Sequence, residues 1–333
     1  MRKFVVTFMA SLLSCNAAFA FLPEAADTSF ELGVGYRRDK FSWTHEGLPV
    51  DVVAPTRLVA KSQWHDLNIW QIDARVKYVT CDNLYFRANA DYGWVTSGKF
   101  TRKDYVEAGD TSGSASVASD AVEMSNFSVK ADKGHVYDAT LAIGYQFKMC
   151  DDSFALAPVV GYSWNGQHYE LGGDNSSSSS SYVVDVAAES SGSGTSRNKF
   201  NTRWNGPFLG VDFDYKVWCD WSIFATYEFH WVRYHARTHW RFDPSNNLDG
   251  FNQRGKNAHG QVASVGVNYD FCECWTASLI GEWKYFRSNK GQHKELISDV
   301  DNGSIEQRCY RYTPLKHATW QSGSITLDVG MLF

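Results

Sequence analysis

Phe86-Arg87-Ala88-Asn89-Ala90-Asp91-Tyr92-Gly93-Trp94 decides the fold. In an extended chain successive side chains point to opposite faces, so Phe86, Ala88, Ala90, Tyr92 and Trp94 share one face and Arg87, Asn89, Asp91 and Gly93 the other. The same division recurs at Ile223, Ala225, Tyr227, Phe229 and Trp231 against Thr226, Glu228 and His230. It recurs again at Val265, Val267, Tyr269 and Phe271 against Ser264, Gly266, Asn268 and Asp270. Strands that are apolar and aromatic on one face and charged on the other suit a closed sheet with lipid outside and a polar interior.

The quoted strand begins just after Tyr78-Val79-Thr80-Cys81-Asp82, one of four places where an aromatic-rich strand meets a cysteine and then an acid. The others are Phe147-Lys148-Met149-Cys150-Asp151, Val217-Trp218-Cys219-Asp220 and Tyr269-Asp270-Phe271-Cys272-Glu273. Cys81, Cys150 and Cys219 follow one another at a spacing of 69 residues, a repeat of hairpin plus loop. Alternation places strands near 28–41, 62–79, 84–97, 133–149, 153–169, 201–218, 221–240, 258–271, 275–288 and 321–333. The four cysteine turns are short, whereas the five other connections are long and polar. The expectation is an all-β, ten-stranded antiparallel transmembrane barrel with short periplasmic turns and long outer loops. Trp94, Trp164, Trp204, Trp231, Trp283 and Trp320 read as a girdle at the loop side, and Tyr78, Tyr145, Tyr215, Trp218 and Phe271 as one at the turn side.

The amino terminus reads as a secretory signal over 1–20: Arg2 and Lys3, an apolar run from Phe4 to Leu13, then Ala18-Phe19-Ala20 as a cleavage site. That leaves 21–333 as one barrel domain. Leu12-Leu13-Ser14-Cys15 offers a competing lipoprotein box that would acylate Cys15, but Leu13 is bulky for its place. Without Arg2 and Lys3 the chain holds 30 basic and 37 acidic residues, a net charge of −7, with no basic nucleic-acid module. Nucleic acid is excluded as a partner, and no cofactor is expected. The last strand alternates Ile325, Leu327, Val329 and Met331 with Thr326, Asp328 and Gly330 and ends on Phe333. That ending resembles the signal read by the bacterial barrel-assembly machinery, which implies the outer membrane of a Gram-negative-type bacterium, with its lipid as surroundings.

The inward positions hold Glu31, Arg37, Asp73, Arg75, Lys77, Arg87, Asp91, Asp138, Lys148, Asp212, Asp214, Lys216, Glu228, Asp270, Glu282, Lys284 and Asp328. Eight-stranded barrels are filled by their side chains and sixteen-stranded ones hold channels, so ten strands lie near the filled end. The lumen is either plugged by ion pairs or a narrow polar pore. Pairing of buried charge favours the plug.

Ser62-Gln63-Trp64-His65-Asp66-Leu67, Gly93-Trp94-Val95-Thr96-Ser97-Gly98, and Gly206-Pro207-Phe208-Leu209-Gly210 through Trp231-Val232 to Asp243-Pro244 carry a family likeness. The chain resembles the omptins, ten-stranded outer-membrane barrels that are surface proteases. The resemblance implies an acidic pair after the third strand and an Asp-x-His dyad after the seventh, together activating a water. Here Arg102-Lys103-Asp104-Tyr105-Val106-Glu107 keeps only Asp104 of the first, and His239-Trp240-Arg241 stands where the second belongs. Arg241 cannot act as a base. A rearranged site of Asp104, His239 and Asp243 is the enzymatic alternative; otherwise no catalytic residue is assigned. His235 and His239 make no metal site, because four residues of strand span about 13 Å. Barrel topology joined to turn cysteines also resembles chlamydial envelope proteins, including the Protochlamydia-type outer-membrane family, which implies a porin-like or structural role.

Six cysteines follow the signal. Cys81, Cys150, Cys219, Cys272 and Cys274 belong to the periplasmic turns and Cys309 to the last outer loop. Turns spread round a rim are too far apart to pair, and five is odd, so at least one rim cysteine is expected to bond another envelope protein. The alternative is five small, unbonded turn residues. Ser/Gly-rich stretches at 98–130 and 170–200 read as water-exposed loops.

Overall fold

The computed structural model describes residues 25–47, 56–108, 122–150, 153–171, 176–180, 199–239, 250–272, 274–301 and 304–332. The signal segment, Cys15, Asp243, Phe333, residues 109–121 and most of 170–200 lie outside the described residues, whereas 98–108 and 122–130, expected as loop, are strand. The strands are β1 (Ala25–Gly47), β2 (Thr56–Thr80), β3 (Leu84–Ala108), β4 (Val122–Lys130), β5 (Lys133–Tyr145), β6 (Phe147–Met149), β7 (Phe154–Glu170), β8 (Ser176–Ser180), β9 (Lys199–Trp218), β10 (Trp221–His239), β11 (Phe251–Cys272), β12 (Trp275–Asp301) and β13 (Ser304–Leu332).

They close into one antiparallel ring. Its order is β2-β1-β13-β12-β11-β10-β9-β7-β5-β3, and β2 pairs with β3 to shut it. Three short strands extend ring positions rather than adding to them. β4 takes over from β5 beside β3, with the break at Ala131 bridged by its amide to the Gly98 carbonyl at 3.0 Å. β6 continues β5 along β7, and β8 pairs with β4 at the outer end. The ring therefore has ten positions, which the alternation predicts.

Strand lengths differ from the expectation. The stretches read as loops at 41–62 and 288–321 are largely hairpin: β1 and β2 pair as far as Gly47 and Leu58, and β12 and β13 as far as Asp301 and Ser304. Their mixed polar sequences suit strands that stand in water beyond an apolar belt. On β3 that belt runs from Leu84 to Trp94, ten steps of about 3.3 Å, which at a tilt of about 40° gives ~25 Å of height, the thickness of a membrane barrel's apolar band. Trp94, Trp164, Trp231 and Trp283 point outward and are exposed, as are Tyr145, Tyr215, Trp218 and Phe271 near the turns. Tyr78 is buried. Trp204 and Trp320 depart most from the girdle reading, since both are fully buried inside the ring.

The cysteine turns knit the rim. Asn83 (φ 63°) and Cys150 (φ 55°) adopt the left-handed conformation that tight turns need. The Asn83 carbonyl accepts from Gln146 N at 2.9 Å, Ser153 O from Lys216 N at 2.8 Å, Asp220 O from Asp270 N at 2.9 Å and Cys274 O from Leu332 N at 2.9 Å. Each turn is thus fixed to the next strand round.

Candidate functional site

Inside the ring the side chains change character with height. On β1 the inward column reads Glu31, Gly33, Gly35, Arg37, Asp39, then Phe41, Trp43 and His45. Charge fills the level of the apolar belt, and aromatic rings fill the level above it.

The lower level is a lattice of ion pairs. Arg37 binds Asp39 through Nε at 2.7 Å and Nη2 at 2.8 Å, and Asp138 through Nη1 at 2.7 Å. Lys284 reaches Asp138 at 2.9 Å, Asp91 at 3.3 Å and Glu282 at 2.8 Å. Arg87 pairs with Asp212 at 2.8 Å and with Glu228, whose other oxygen meets His230 Nε2 at 2.8 Å; His230 Nδ1 in turn contacts the Ser163 hydroxyl at 3.0 Å. Arg75 spans Asp73 at 3.2 Å and Asp328 at 3.5 Å, two carboxylates that flank Gly33 in register. Multiple partners per cation are what make buried charge tolerable.

The upper level is the larger apolar core. Trp43 stacks on Phe200 (centroids 4.9 Å, 7° between planes), Trp64 packs on Phe100 at 4.8 Å and Tyr169 at 5.1 Å, Trp204 on Tyr234 at 4.4 Å, and Phe286 on Trp320 at 5.0 Å. Phe41, Phe251, Val129, Ala131 and Val136 complete it, so every position round the ring contributes. The two levels are joined: Trp320 Nε1 donates to Asp39 at 3.1 Å, and the Arg37 guanidinium lies 5.4 Å from the Trp320 ring centre. High in the seal, His45 and His293 stack at 4.0 Å and 8°. Burial, then Arg102, pushes His45 down to about 3; burial, then His45 and Arg102, pushes His293 down to about 2.

Beneath the seal lies a cavity of about 480 Å³ that runs from the turn rim, at Lys148, Ser153 and Leu332, up to Asn165 and His230. Asp27, Glu31, Asp91, Asp138, Asp212, Asp214, Glu228, Asp270 and Glu282 line it with Arg75, Lys77, Arg87, Lys148, Lys216 and Lys284, nine carboxylates to six cations. Asp73 and Asp328 also point inward, but they are buried behind Arg75 rather than on the cavity wall.

Of the candidate proteolytic residues, Asp243 lies outside the described residues, and Asp104 and His239 stand on different strands. Asp104 is on β3, bound to Arg102 at 3.1 Å, and His239 pairs in register with Lys199 on β9. β5, β7 and β9 separate their strands along one side of the ring. Among the described residues no group of three His, Cys, Asp or Glu has metal-binding geometry. Cys81, Cys150, Cys219, Cys272 and Cys274 stand exposed on the turn rim, with no disulfide joining any two of them. Successive turns sit two strand spacings apart, about 9.5 Å, beyond the ~7 Å Cα limit of a disulfide. Cys309 pairs in register with Ile297 on the outer hairpin.

A closed antiparallel ring with an outward apolar belt, short turns at one rim and long hairpins at the other defines an outer-membrane β-barrel. The family model for the Protochlamydia outer membrane protein matches residues 31–333, and the chain belongs to that family. The fold resembles that of the outer membrane protease OmpT from Escherichia coli, with a TM-score of 0.62 and 12% identity over 93% of this chain and 97% of that one. OprG from Pseudomonas aeruginosa matches at a TM-score of 0.28 and 8% identity, over 93% of this chain and 98% of that one. Ail, the attachment invasion locus protein of Yersinia pestis, matches at 0.27 and 9%, over 93% and 99%. No curated protein matches the sequence. At 12% identity the likeness to OmpT is one of fold, and the protein is one of the outer membrane.

Proposed function

We propose that this barrel is a non-enzymatic structural protein of the outer membrane, closed to solutes and tied into the envelope through its periplasmic-rim cysteines. The observation that carries this reading is the aromatic packing above the lumen. A porin-like pore needs a continuous aqueous path, and here the polar cavity opens toward the turn rim and ends beneath fully buried rings. The exposed rim sulfurs supply the attachment. Exposure and the periplasmic compartment favour disulfide formation with a partner, while the distance between turns opposes bonding from one turn to another.

Envelopes isolated under alkylation and run without reductant test the tether. The barrel is expected in high-molecular-weight bands that collapse to monomer on reduction, and that are lost when Cys150, Cys219, Cys272 and Cys274 are changed to Ser. A monomeric band in unreduced wild-type envelopes overturns it.

A further inference from the structure

The polar cavity beneath the seal opens at the turn rim, and its wall carries an excess of negative charge. Nine carboxylates face six cations there, and two of those cations, Lys148 and Lys216, are exposed at the rim, where water solvates them. Lys77 is bonded to Asp27 at 2.9 Å, and Arg75, Arg87 and Lys284 are held by the carboxylates already described. Glu31 on β1, Asp214 on β9 and Asp270 on β11 have no cation within ion-pair distance among the described residues. An excess of one sign in a cleft with low-dielectric walls focuses the field and concentrates counter-ions. Hydrogen-bonding capacity is lopsided in the same sense. Asp138 Oδ1 and Gln146 Oε1 belong to side chains more than nine-tenths buried in the cavity wall, and neither oxygen has a hydrogen-bond partner. Thr140 Oγ1 and Asn268 Oδ1, on the same wall, can accept and have none either. The one buried N–H left over on the described wall is that of Arg87 Nε.

We propose that the cavity binds a linear polyamine from the periplasm, its ammonium groups shared among the Glu31, Asp214 and Asp270 carboxylates and the unpaired wall oxygens. A primary ammonium donates three hydrogen bonds and accepts none, so it suits a wall short of donors, and charge-assisted bonds to carboxylates are the stronger kind. A compact metal ion fits less well. β9 and β11 are two strand spacings apart, about 9.5 Å, and β1 lies three spacings beyond β11. An ion gathers its oxygens at about 2.0–2.6 Å, and no three-ligand cluster exists among the described residues. Charges spaced along a flexible chain can meet carboxylates on separate strands. A neutral solute would leave the excess uncompensated, and an anionic one would add to it. The seal sets the direction of entry: with the outer end filled by rings, the ligand reaches the cavity through the turn rim.

Isothermal titration of the full chain, folded in zwitterionic detergent micelles at physiological salt, with spermidine tests this. Wild type is expected to bind one spermidine per barrel, at least tenfold more tightly than Mg2+ or glucose. The variant D214N/D270N, whose carboxylates hold no ion pair in the fold, is expected to weaken binding at least tenfold, and Q146L to weaken it severalfold. D66N/E123Q removes the same charge from the outer face and is expected to leave affinity unchanged. Each variant is first checked for the heat-modifiable gel mobility of a folded barrel. No saturable binding by wild type, an unchanged affinity in D214N/D270N, or an equal loss in D66N/E123Q overturns the proposal. So does tighter binding of Mg2+ than of spermidine, which would assign the excess charge to metal ions. Conductance in planar bilayers is read separately: a conducting barrel that still binds spermidine through Asp214 and Asp270 would overturn the seal and uphold the site.

Discussion

Trp320→Ala is expected to destabilise the barrel by about 4–7 kcal/mol. The indole is fully buried and stacks on Phe286 at 5.0 Å, so its removal leaves a cavity that the surrounding rings fill only in part. Truncations of this kind cost about 3–5 kcal/mol. The lost hydrogen bond from Nε1 to Asp39 adds about 1–2 kcal/mol, because the acceptor is an ion but keeps both bonds from Arg37. Urea titration of the barrel in lipid vesicles, followed by tryptophan fluorescence and gel mobility, gives the difference from wild type. Trp94→Ala is the control, since that ring is 47% exposed on the outward face and loses only interfacial contact. A loss below about 1.5 kcal/mol for Trp320→Ala, or equal losses for the two, would refute the packing argument.

Acid should loosen the seal. His45 and His293 are depressed to about 3 and about 2, below their value in the unfolded chain, so the unfolded state binds protons that the native state refuses. Their contribution is complete above about pH 6.5 and is lost as pH falls below it, at up to ~1.4 kcal/mol per pH unit for each imidazole. The urea midpoint should drop between pH 7 and pH 4.5 and drop less in His45→Phe/His293→Phe; a pH-independent midpoint would contradict the buried pair. Arg87→Ala should cost about 3–5 kcal/mol by stranding Asp212 and Glu228, measured by the same titration. Gly33→Ala should prevent native folding or cost several kcal/mol, because a methyl there meets the Asp328 and Asp73 carboxylates, whereas Gly323→Ala meets nothing within 4 Å and should be neutral. Heat-modifiable gel mobility separates the two outcomes.

Much of this was legible in the sequence at the level of the membrane belt, where alternation is unbroken. Counting by two from Asp91 or Glu228 identifies the inward side chains directly. The aromatic seal was less legible, for two reasons. On β9 and β13 the count was sufficient: Trp204 has the parity of Asp212, and Trp320 that of Asp328, yet a tryptophan near a strand's outer end looks like a girdle residue unless the count is carried through. On β2 the count itself fails. The register slips between His65 and Asn68, with Asp66 at φ 55°, and this turns Trp64 inward where strict alternation from Asp73 would place it outside. β11 does the same near Asn257, at φ 53°, which sends Phe251 into the core. Bulges leave little trace in composition, so the interior above the belt required the structure.

Planar-bilayer recording of the purified, folded wild-type barrel tests the closed lumen most directly. The aromatic seal predicts a silent insertion, with the membrane current unchanged at ±100 mV while gel mobility certifies a folded barrel. Discrete, reproducible conductance steps from wild type would contradict it, since ions would then be crossing the level that Trp43, Trp204, Phe286 and Trp320 occupy.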